Sequence, residues 1–410
     1  MNKVKEGYKK TLAGEIPEEW GYEELNKLVD KITDGTHKTP TYTEYGVPFL
    51  RVTDIQQSDI DWKNVKYISE EEHLELIKRC NPEIGDILYS KNGTIGIPKI
   101  IDWENKFSIF VSLCLIKMKK ENSLIINKYL EQFLKSDSCM RQIRLRAKQG
   151  TVTNLHLEEI RELVIPIPDT KEQEKIALIL STVDEEIDNI DKLIQKNKEL
   201  KKGLMQQLLT KGIGHTKFKK TEIGEIPEEW GVKELGEICE ILDSKRVPLN
   251  EKQRADMRGD IPYYGANSIV DYVNDYLFDD KLILMAEDGG NFSEFRDKPI
   301  AFYVEGKCWV NNHAHVLRAK DYKSSKWIFY NLVNKDITNI VQGGTRAKLN
   351  QKDLRNIVIA FPKVYEQIEI VKILSEVDEI IDKYQNKKIK LEELKKGLMQ
   401  QLLTGKIRVY

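Results

Sequence analysis

Two exact internal repeats restrict what this chain can fold into. The segment Gly14–Gly21 (GEIPEEWG) recurs unchanged at Gly224–Gly231, and Glu199–Thr210 (ELKKGLMQQLLT) recurs unchanged at Glu393–Thr404. So long a run of identical residues does not arise by chance, so the chain is a tandem duplication with two half-length units. The central parts of the two units show little resemblance to each other. The ends of the units are therefore constant and their middles are variable.

The end of each unit has the pattern of a long amphipathic helix without proline. We predict spacer helices over residues 171–212 and 365–410. The predicted apolar stripe contains Ile176, Leu180, Val183, Ile187, Ile190, Ile194, Leu200, Leu204 and Leu208 in the first helix, and Ile370, Leu374, Val377, Ile381, Tyr384, Leu391, Leu394, Leu398 and Leu402 in the second.

The repeat also predicts a topology. The first helix delivers the chain to the second body, and by equivalence the far end of the second helix lies beside the start of the first body. We therefore expect two antiparallel helices that bury their stripes as a coiled coil, with a pseudo-twofold axis.

The variable bodies, residues 1–170 and 213–364, mix short β-rich runs with helical patterns. Runs such as 86–90, 110–116 and 281–286 are separated by turns that carry Gly and Asn, and helical pieces fall near 126–146 and 325–338. The expected fold class is α+β, with two globular α/β-mixed domains joined by the long helices.

Composition excludes several classes of protein. The chain has 410 residues, of which 32% are charged and 40% hydrophobic. No apolar run approaches the roughly 20 residues that span a bilayer, and the first residues lack the pattern of a signal peptide. We expect a cytoplasmic protein with no membrane role.

Signatures of catalysis are absent from the sequence. It contains no GxxxxGK[ST], HExxH or GxSxG motif, and no GxGxxG that follows a strand. Asn81-Pro82 is followed by Glu83, so it does not make the Asn-Pro-Pro-aromatic signature of amino-methyltransferases. Pro168–Lys171 resembles a nuclease fragment only superficially, and Asp169 is better interpreted as a helix cap. We predict that the chain is not an enzyme by itself.

Metal and disulfide sites are not expected either. His313-Ala-His315 places two imidazoles on one face of a predicted strand, at most half of a metal site, and no further ligand is evident. The five cysteines are scattered, with an odd count and no CxxC pair, which is typical of free thiols.

Charge is informative by position rather than in total. Lys plus Arg number 65 against 66 for Asp plus Glu, a net charge of -1 that at face value speaks against a polyanion partner. Yet the segment 135–148 is strongly basic and runs into Gln149-Gly-Thr151, and its repeat partner is Gly343–Lys348. A basic helix that leads into a Gly-Thr turn suits phosphate contact, although a solvated helix face remains the alternative. Acidic residues concentrate in the constant segments, where they are candidates for contacts with protein partners.

Polar loops with glycines in the variable bodies are candidates for reading base edges, although each could be an ordinary turn. Together with the basic segments, the predicted DNA-binding residues are Thr36, His37, Lys38, Ser90, Lys91, Asn92, Arg141, Arg144, Arg146, Lys148, Gln149 and Thr151 in the first unit, and Ser244, Lys245, Arg246, Asn267, Asn291, Thr345, Arg346 and Lys348 in the second. Trp20 and Trp230 lie in the constant segment, so we interpret them as packing anchors beside the helices rather than as base-stacking residues.

These motifs, taken together, resemble the specificity subunit of type I restriction-modification systems over the whole chain. The resemblance rests on the IPEEWG opening of each half, the turns at Gln149-Gly-Thr and Gln342–Thr345, the Ile-Pro segment before Glu172-Gln173, and the end LKKGLMQQLLTGK. The first turn has one glycine where the second has two, a small departure in this motif.

The resemblance implies a DNA-recognition subunit without catalysis of its own. Two target-recognition domains would each read one half of a split target on double-stranded DNA, and the paired helices would set the spacing. Two methyltransferase subunits and motor-nuclease (restriction) subunits would be the partners. S-adenosylmethionine, ATP and Mg²⁺ would bind to those partners and not to this chain.

Two other interpretations stay open at this stage. A scaffold protein without a DNA role explains the helices but not why the bodies diverge while the helices stay constant. A single-chain restriction and methylation enzyme would need the methyl-donor and Asn-Pro-Pro motifs that the sequence lacks.

Overall fold

The structure, a computed structural model, describes residues 4–57, 59–146, 154–343 and 347–410. It divides into two compact units. The first unit comprises Met1–Lys192 together with Gln385–Tyr410, and the second comprises Leu193–Tyr384. Each unit therefore contains one variable body and a segment of each long helix.

The first body alternates short strands and helices. In chain order these are β1 (Tyr8–Thr11), β2 (Gly14–Pro17), β3 (Gly21–Glu24), α1 (Leu25–Leu28), β4 (Lys31–Asp34), β5 (Val47–Leu50), β6 (Lys66–Ile68), α2 (Glu70–Ile77), β7 (Ile87–Ser90), β8 (Pro98–Ile100), β9 (Ser108–Ile109), β10 (Leu113–Lys117), α3 (Asn127–Leu134), α4 (Asp137–Arg146), α5 (Leu157–Arg161) and β11 (Val164–Ile167). The first long helix, α6 (Thr170–Lys211), follows.

The second body repeats this plan with longer strands. Its elements are β12 (Phe218–Thr221), β13 (Gly224–Pro227), β14 (Gly231–Glu234), α7 (Leu235–Ile238), β15 (Cys239–Ile241), α8 (Glu251–Asp256), β16 (Arg258–Tyr264), β17 (Ile269–Val273), β18 (Phe278–Ala286), β19 (Ala301–Val310), β20 (Ala314–Ala319), α9 (Ser325–Leu332), α10 (Gln351–Arg355) and β21 (Val358–Phe361). The second long helix, α11 (Val364–Leu402), follows the second body.

The predicted α+β class is confirmed, with differences in the helices of the bodies. The helical piece expected near 126–146 is two helices, α3 and α4, and the piece expected near 325–338 ends at Leu332. The predicted cap at Asp169 is also confirmed, because its Oδ1 accepts a hydrogen bond from the Glu172 N–H at 3.0 Å.

The same order of strands forms the main sheet of both bodies. The first sheet has the order β4-β10-β7-β8, and the second begins β15-β20-β18-β19 and continues through β16 and β17. In both, the second strand of the order pairs antiparallel with its two neighbours. The first body adds a separate three-stranded sheet, β6-β5-β9.

Within each unit the two long helices run antiparallel, as predicted. In the first unit, Lys395 contacts Asp184, and Lys388 Nζ lies 2.7 Å from Asp191 Oδ2. Residue numbers in α11 fall as those in α6 rise, which defines an antiparallel pair.

The second unit contains the same ion pair. Lys201 Nζ lies 2.5 Å from Asp378 Oδ1. In the duplicated sequence, Lys201 and Asp378 are the counterparts of Lys395 and Asp184. The register of the helices is therefore the same in both units.

Apolar residues of both helices pack together inside each unit. Ile176 and Leu180 share a core with Leu402 in the first unit, and Leu208 shares one with Ile370 and Leu374 in the second. Val183, Ile187, Leu204 and Leu398 are half-buried, and Ile190, Val377 and Ile381 are buried. The structure differs from the predicted stripe at Leu200 and Leu394, which are 52% and 51% exposed. These two leucines occupy the same place in the repeat.

A buried tryptophan and a glutamate join each body to its helix. The indole Nε1 of Trp20 donates to Glu172 Oε2 at 3.0 Å, and Trp230 Nε1 donates to Glu366 Oε2 at 2.9 Å. Both tryptophans are 1% exposed, which confirms their prediction as packing anchors.

Candidate nucleic-acid interface

One edge of the β4-β10-β7-β8 sheet collects polar loops of the first body. β4 and β7 end at this edge, and β10 begins there because it runs antiparallel to both. Backbone hydrogen bonds join the loops: the Lys91 N–H donates to Ser112 O at 2.9 Å, and the Thr36 N–H donates to Ile109 O at 3.1 Å. We call loops 34–38, 51–56, 90–94 and 110–112 the first edge.

The loop after β5 belongs to the first edge, although no sequence motif had singled it out. The Val52 N–H donates to Ser112 Oγ at 3.2 Å, and Gln56 Nε2 donates to Thr94 Oγ1 at 3.1 Å. The parallel pairing of β5 with β9 brings Arg51 to this edge, since both loops that follow those strands then emerge together. Only knowledge of that pairing could have identified Arg51, Gln56 and Ser112 in advance.

A buried carboxylate lies at the centre of the first edge. Asp34 is 3% exposed, and its oxygens contact His37 Nε2 at 3.0 Å, Lys91 Nζ at 3.4 Å and the guanidinium of Arg79. Asp34, His37 and Arg79 also line a cavity of about 320 Å³. Arg79 and Lys91 thus neutralise the buried carboxylate of Asp34.

The second body has a corresponding edge. β15 and β18 end there and β20 begins there. The Glu287 N–H donates to His313 O at 2.8 Å, and Asn267 Nδ2 donates to Gly289 O at 2.8 Å. We call loops 243–246, 265–268, 287–291 and 311–313 the second edge.

Both edges share one backbone frame. The Leu155 N–H donates to Lys91 O at 2.8 Å, and the Leu349 N–H donates to Glu287 O at 2.7 Å. Leu155 and Leu349 are counterparts in the duplicated sequence. Lys91 and Glu287 therefore occupy the same place on the two edges with opposite charges.

An ionic cluster occupies the centre of the second edge. His315, 1% exposed, places Nδ1 2.7 Å from Asp243 Oδ2, and Arg246 Nη1 lies 2.6 Å from Glu287 Oε2. Burial raises the pKa of the Glu287 carboxyl. Hydrogen bonds from Arg246 and then Lys348 lower that pKa by more than burial raises it, so the pKa lies below its usual value. Glu287 is therefore ionised at neutral pH.

This cluster is better explained as a salt-bridge network than as a metal centre. Asp243, Glu287 and His315 offer ligand atoms within 4.8 Å of one another. However, Arg246 and Lys348 already supply positive charge to these carboxylates, with Lys348 Nζ 3.1 Å from Glu287 Oε1. The two histidines also have separate partners, because His313 Nδ1 lies 2.5 Å from Asp288 Oδ1.

Several predicted DNA-binding residues lie on the edges with side chains accessible to a ligand. In the first unit His37 and Lys38 are exposed, and Thr36 and Asn92 are half-buried. In the second unit Ser244 and Lys245 are exposed, and Asn267 is half-buried. Lys348 lies beside the second edge, where it is exposed and pairs with Glu287.

Other predicted residues are buried or use their polar atoms in hydrogen bonds within the protein. Ser90 Oγ accepts from the Ile97 N–H at 2.8 Å, and Lys91 is 6% exposed. Arg246 also donates to Ala314 O at 2.7 Å, and Asn291 Nδ2 donates to Pro299 O at 3.4 Å. These contacts order the loops.

Two asparagine amides, one on each edge, have bonding capacity left. Asn92 Oδ1 and Asn267 Oδ1 are buried, and neither has a hydrogen-bond partner within the described residues. Buried polar atoms in folded proteins are nearly always paired, so each of these atoms calls for a water or a ligand.

Helix α4 presents its three predicted arginines differently. Arg144 is exposed, whereas Arg146 Nη2 donates to Glu162 O at 2.8 Å. Arg141 is exposed and lines a cleft of about 580 Å³ beside Lys395 and Lys396 of α11. Lys148, Gln149, Thr151, Thr345 and Arg346 lie outside the described residues.

The thiols offer no nucleophile. All five cysteines are free and buried. Burial raises the pKa of Cys80, Cys139, Cys239 and Cys308 to about 12. These thiols are protonated at neutral pH, which suits packing rather than chemistry.

The family of the chain follows from comparison with known proteins. A model of the type I restriction modification DNA specificity domain matches residues 17–202 and again residues 227–393. The chain belongs to the type I restriction-modification specificity family. The first match covers the first body and most of α6, and the second match covers the second body and most of α11. As a specificity subunit, the chain is a non-catalytic component of its system.

Related specificity subunits support this assignment over the whole chain. The putative type I restriction enzyme MjaX specificity subunit of Methanocaldococcus jannaschii is 31% identical, over 98% of this chain and 97% of its own length. The type I restriction enzyme MjaVIII specificity subunit of the same organism is 26% identical, over 98% and 96%.

Solved structures share the fold. The type I restriction-modification S subunit from M. genitalium superposes with a TM-score of 0.62 at 18% identity, covering 98% of both chains. A chain from a structure of complex assembly and conformational transition in the type I R-M system gives a TM-score of 0.53 at 15% identity, covering 96% of this chain and 99% of its own. Among the described residues of this specificity subunit, no helix has the length and apolar character to cross a membrane.

Proposed function

We propose that this specificity subunit recognises an asymmetric, bipartite target on double-stranded DNA, with one half-site for each domain. The observation that carries the proposal is the pair of edges. They share a backbone frame through Leu155 and Leu349, yet Lys91 on one edge corresponds to Glu287 on the other. Edges built alike with different side chains suit two different half-sites.

The long helices would set the distance between the half-sites. α6 is an uninterrupted helix of 42 residues, which corresponds to about 63 Å. Domains held at a fixed separation read the same side of the duplex when their half-sites lie about one helical turn, or roughly 34 Å, apart.

The partners in this proposal are two methyltransferase subunits and the restriction subunits, which this chain would hold on the DNA. The methyltransferases would modify adenine. S-adenosylmethionine, ATP and Mg²⁺ would bind to those partner subunits. The duplicated constant segments support two copies of one partner, because the same surface residues occur twice in the chain.

The test is to map methylated adenines in a host that carries this subunit and its methyltransferase. We expect one split sequence with two different halves. Methylation at a continuous or palindromic sequence would contradict the asymmetric target. A purified complex that binds no duplex would favour the scaffold interpretation.

The spacing role needs a separate experiment. Since Lys201 pairs with Asp378, residues 195–200 of α6 lie opposite residues 379–384 of α11. Insertion of seven residues in both segments preserves the phase of the apolar stripe and adds about 10 Å, or about three base pairs. We expect a longer unread spacer with both half-sites unchanged. A changed half-site with the old spacing would overturn the idea.

A further inference from the structure

Arg51 on the first edge has a guanidinium that is held by a single carboxylate. Its Nε donates to Asp54 Oδ2 at 3.2 Å and its Nη2 donates to Asp54 Oδ1 at 3.2 Å. Asp54 is itself fixed, because its Oδ2 also accepts the backbone N–H of Arg51 at 2.8 Å. The carboxylate thus engages one side of the guanidinium and fixes the plane of the group.

The other side of this guanidinium remains available. Within the described residues, Nη1 of Arg51 makes no hydrogen bond, and the side chain is 32% exposed. Arg246 on the second edge differs, because Glu287 and Ala314 O both engage its Nη1 and its side chain is only 12% exposed. Arg51 can therefore donate outward, whereas Arg246 orders its own loop.

The surroundings of Arg51 place it among the other candidate loops. The next residue, Val52, donates its N–H to Ser112 Oγ at 3.2 Å, and the Lys91 N–H donates to Ser112 O. The Phe110 N–H donates to Leu50 O at 3.0 Å. Arg51 thus lies where loops 51–56, 90–94 and 110–112 of the first edge meet.

Guanine matches the open side of such a group. In the major groove it presents two acceptors, O6 and N7, and an arginine that donates to both is the most common specific contact to a base. An arginine already held by a carboxylate loses less side-chain entropy on binding, which favours discrimination. We infer that Arg51, held by Asp54, reads a guanine in the half-site of the first domain, an inference that rests on the proposed function.

The experiment maps methylated sites for the full complex with wild-type subunit, Arg51→Ala, Arg51→Lys and Asp54→Asn. With Arg51→Ala we expect preference for one G·C pair in one half-site to fall by roughly 5- to 150-fold, while the other half-site stays unchanged. Arg51→Lys should also lose much of the preference, because lysine retains the positive charge but lacks the paired, coplanar N–H donors of the guanidinium. Asp54→Asn should weaken preference at the same base pair by a smaller factor.

The matched control is Arg318→Ala. Arg318 in the second domain also pairs with carboxylates, Glu240 at 2.6 Å and Asp280 at 3.1 Å, and is 39% exposed, but it lies within the sheet away from the loops. Both half-sites should be unchanged in this variant. Retained preference at the other base pairs of the first half-site shows that the first domain remains folded in Arg51→Ala.

The outcomes separate this inference from the proposed function. A wild-type complex without a bipartite target would contradict the proposed function. A bipartite target that stays the same in Arg51→Ala would overturn the role of Arg51 alone. Full preference in Arg51→Lys would also overturn it, because the contact would then be to phosphate. A half-site of the first domain that contains no G·C pair would also overturn the role of Arg51.

Discussion

The indole N–H of Trp20 donates to the buried carboxylate of Glu172, and this bond connects the constant opening of the first unit to the first turn of α6. Arg408, close to the end of the chain, binds the same carboxylate through Nε at 2.7 Å and Nη2 at 2.8 Å. One carboxylate thus joins the start of the body, the start of one long helix and the segment after the other. In the second unit Glu366 has the same role, with His215 Nε2 at 2.8 Å in place of the arginine.

Removal of this carboxylate should destabilise the first unit strongly. Glu172→Ala leaves Trp20 Nε1 without its acceptor and removes the carboxylate that Nε and Nη2 of Arg408 bind, at a position where Glu172 is 0% exposed. We expect a loss of about 3–5 kcal/mol in the free energy of unfolding, measured by urea denaturation. The control is Glu19→Ala, which removes the exposed carboxylate partner of Arg408 and should cost less than about 1 kcal/mol. Equal losses in the two variants would contradict this account.

The repeat made much of the fold predictable. Because Glu199–Thr210 and Glu393–Thr404 are identical, the helices, their antiparallel direction and the separate bodies all followed from the sequence. Leu200 and Leu394 fitted the predicted stripe but lie half exposed. The spacing of apolar residues does not reveal how much of the helix surface is buried at each turn, because that depends on how closely the partner helix packs there.

Burial of the helix leucines provides a matched test of that point. Leu374 and Leu394 lie on the same helix, at 0% and 51% exposure. Leu374→Ala should cost about 2–5 kcal/mol, because it leaves a cavity in a packed core. Leu394→Ala should change stability by about 0.5 kcal/mol or less. Thermal unfolding of both variants measures the difference, and comparable drops in Tm would mean that both leucines are packed in solution.

Asp188 on α6 gives a dependence on pH with a defined sign. Burial, followed by the negative charge of Asp184, raises the pKa of the Asp188 carboxyl. An acid with a raised pKa in the folded state destabilises that state when ionised, and the cost disappears as the pH falls through that pKa. Asp188→Asn should therefore be more stable than wild type at pH 7, with solvent screening limiting the gain to about 0.5 kcal/mol.

The gain in Asp188→Asn should shrink as the pH falls through the raised pKa, and it should vanish well below the ordinary aspartate pKa of about 3.9, because only there is the wild-type carboxyl protonated in both states. The control is Asp382→Asn, at the counterpart position in α11, where the side chain is exposed. Unfolding by urea at pH 7 and at about pH 3 measures both variants. A gain that persisted at the lower pH would show that charge is not its cause.

The candidate interface was less predictable than the fold. Polar loops such as Thr36–Lys38 could be identified from composition, but composition does not distinguish Lys245, which is exposed, from Lys91 and Arg246, which are held by carboxylates from distant parts of the chain. Arg51 was missed because its place depends on the pairing of β5 with β9. Contacts of this kind are set by tertiary structure, which local spacing does not encode.

The two basic residues at the end of α4 should respond differently to substitution. Arg144 is exposed and its side chain makes no hydrogen bond or ion pair within the described residues, whereas Arg146 donates to Glu162 O and to Gln142 O. If Arg144 contacts phosphate, Arg144→Ala weakens binding to all duplexes alike and reduces the slope of log K against log salt by about 1. Arg146→Ala should instead lower Tm and leave that slope unchanged, because its donors are used within the protein. Fluorescence anisotropy with specific and unrelated duplexes at several salt concentrations tests both variants. An unchanged slope for Arg144→Ala would remove this helix from the DNA-binding surface.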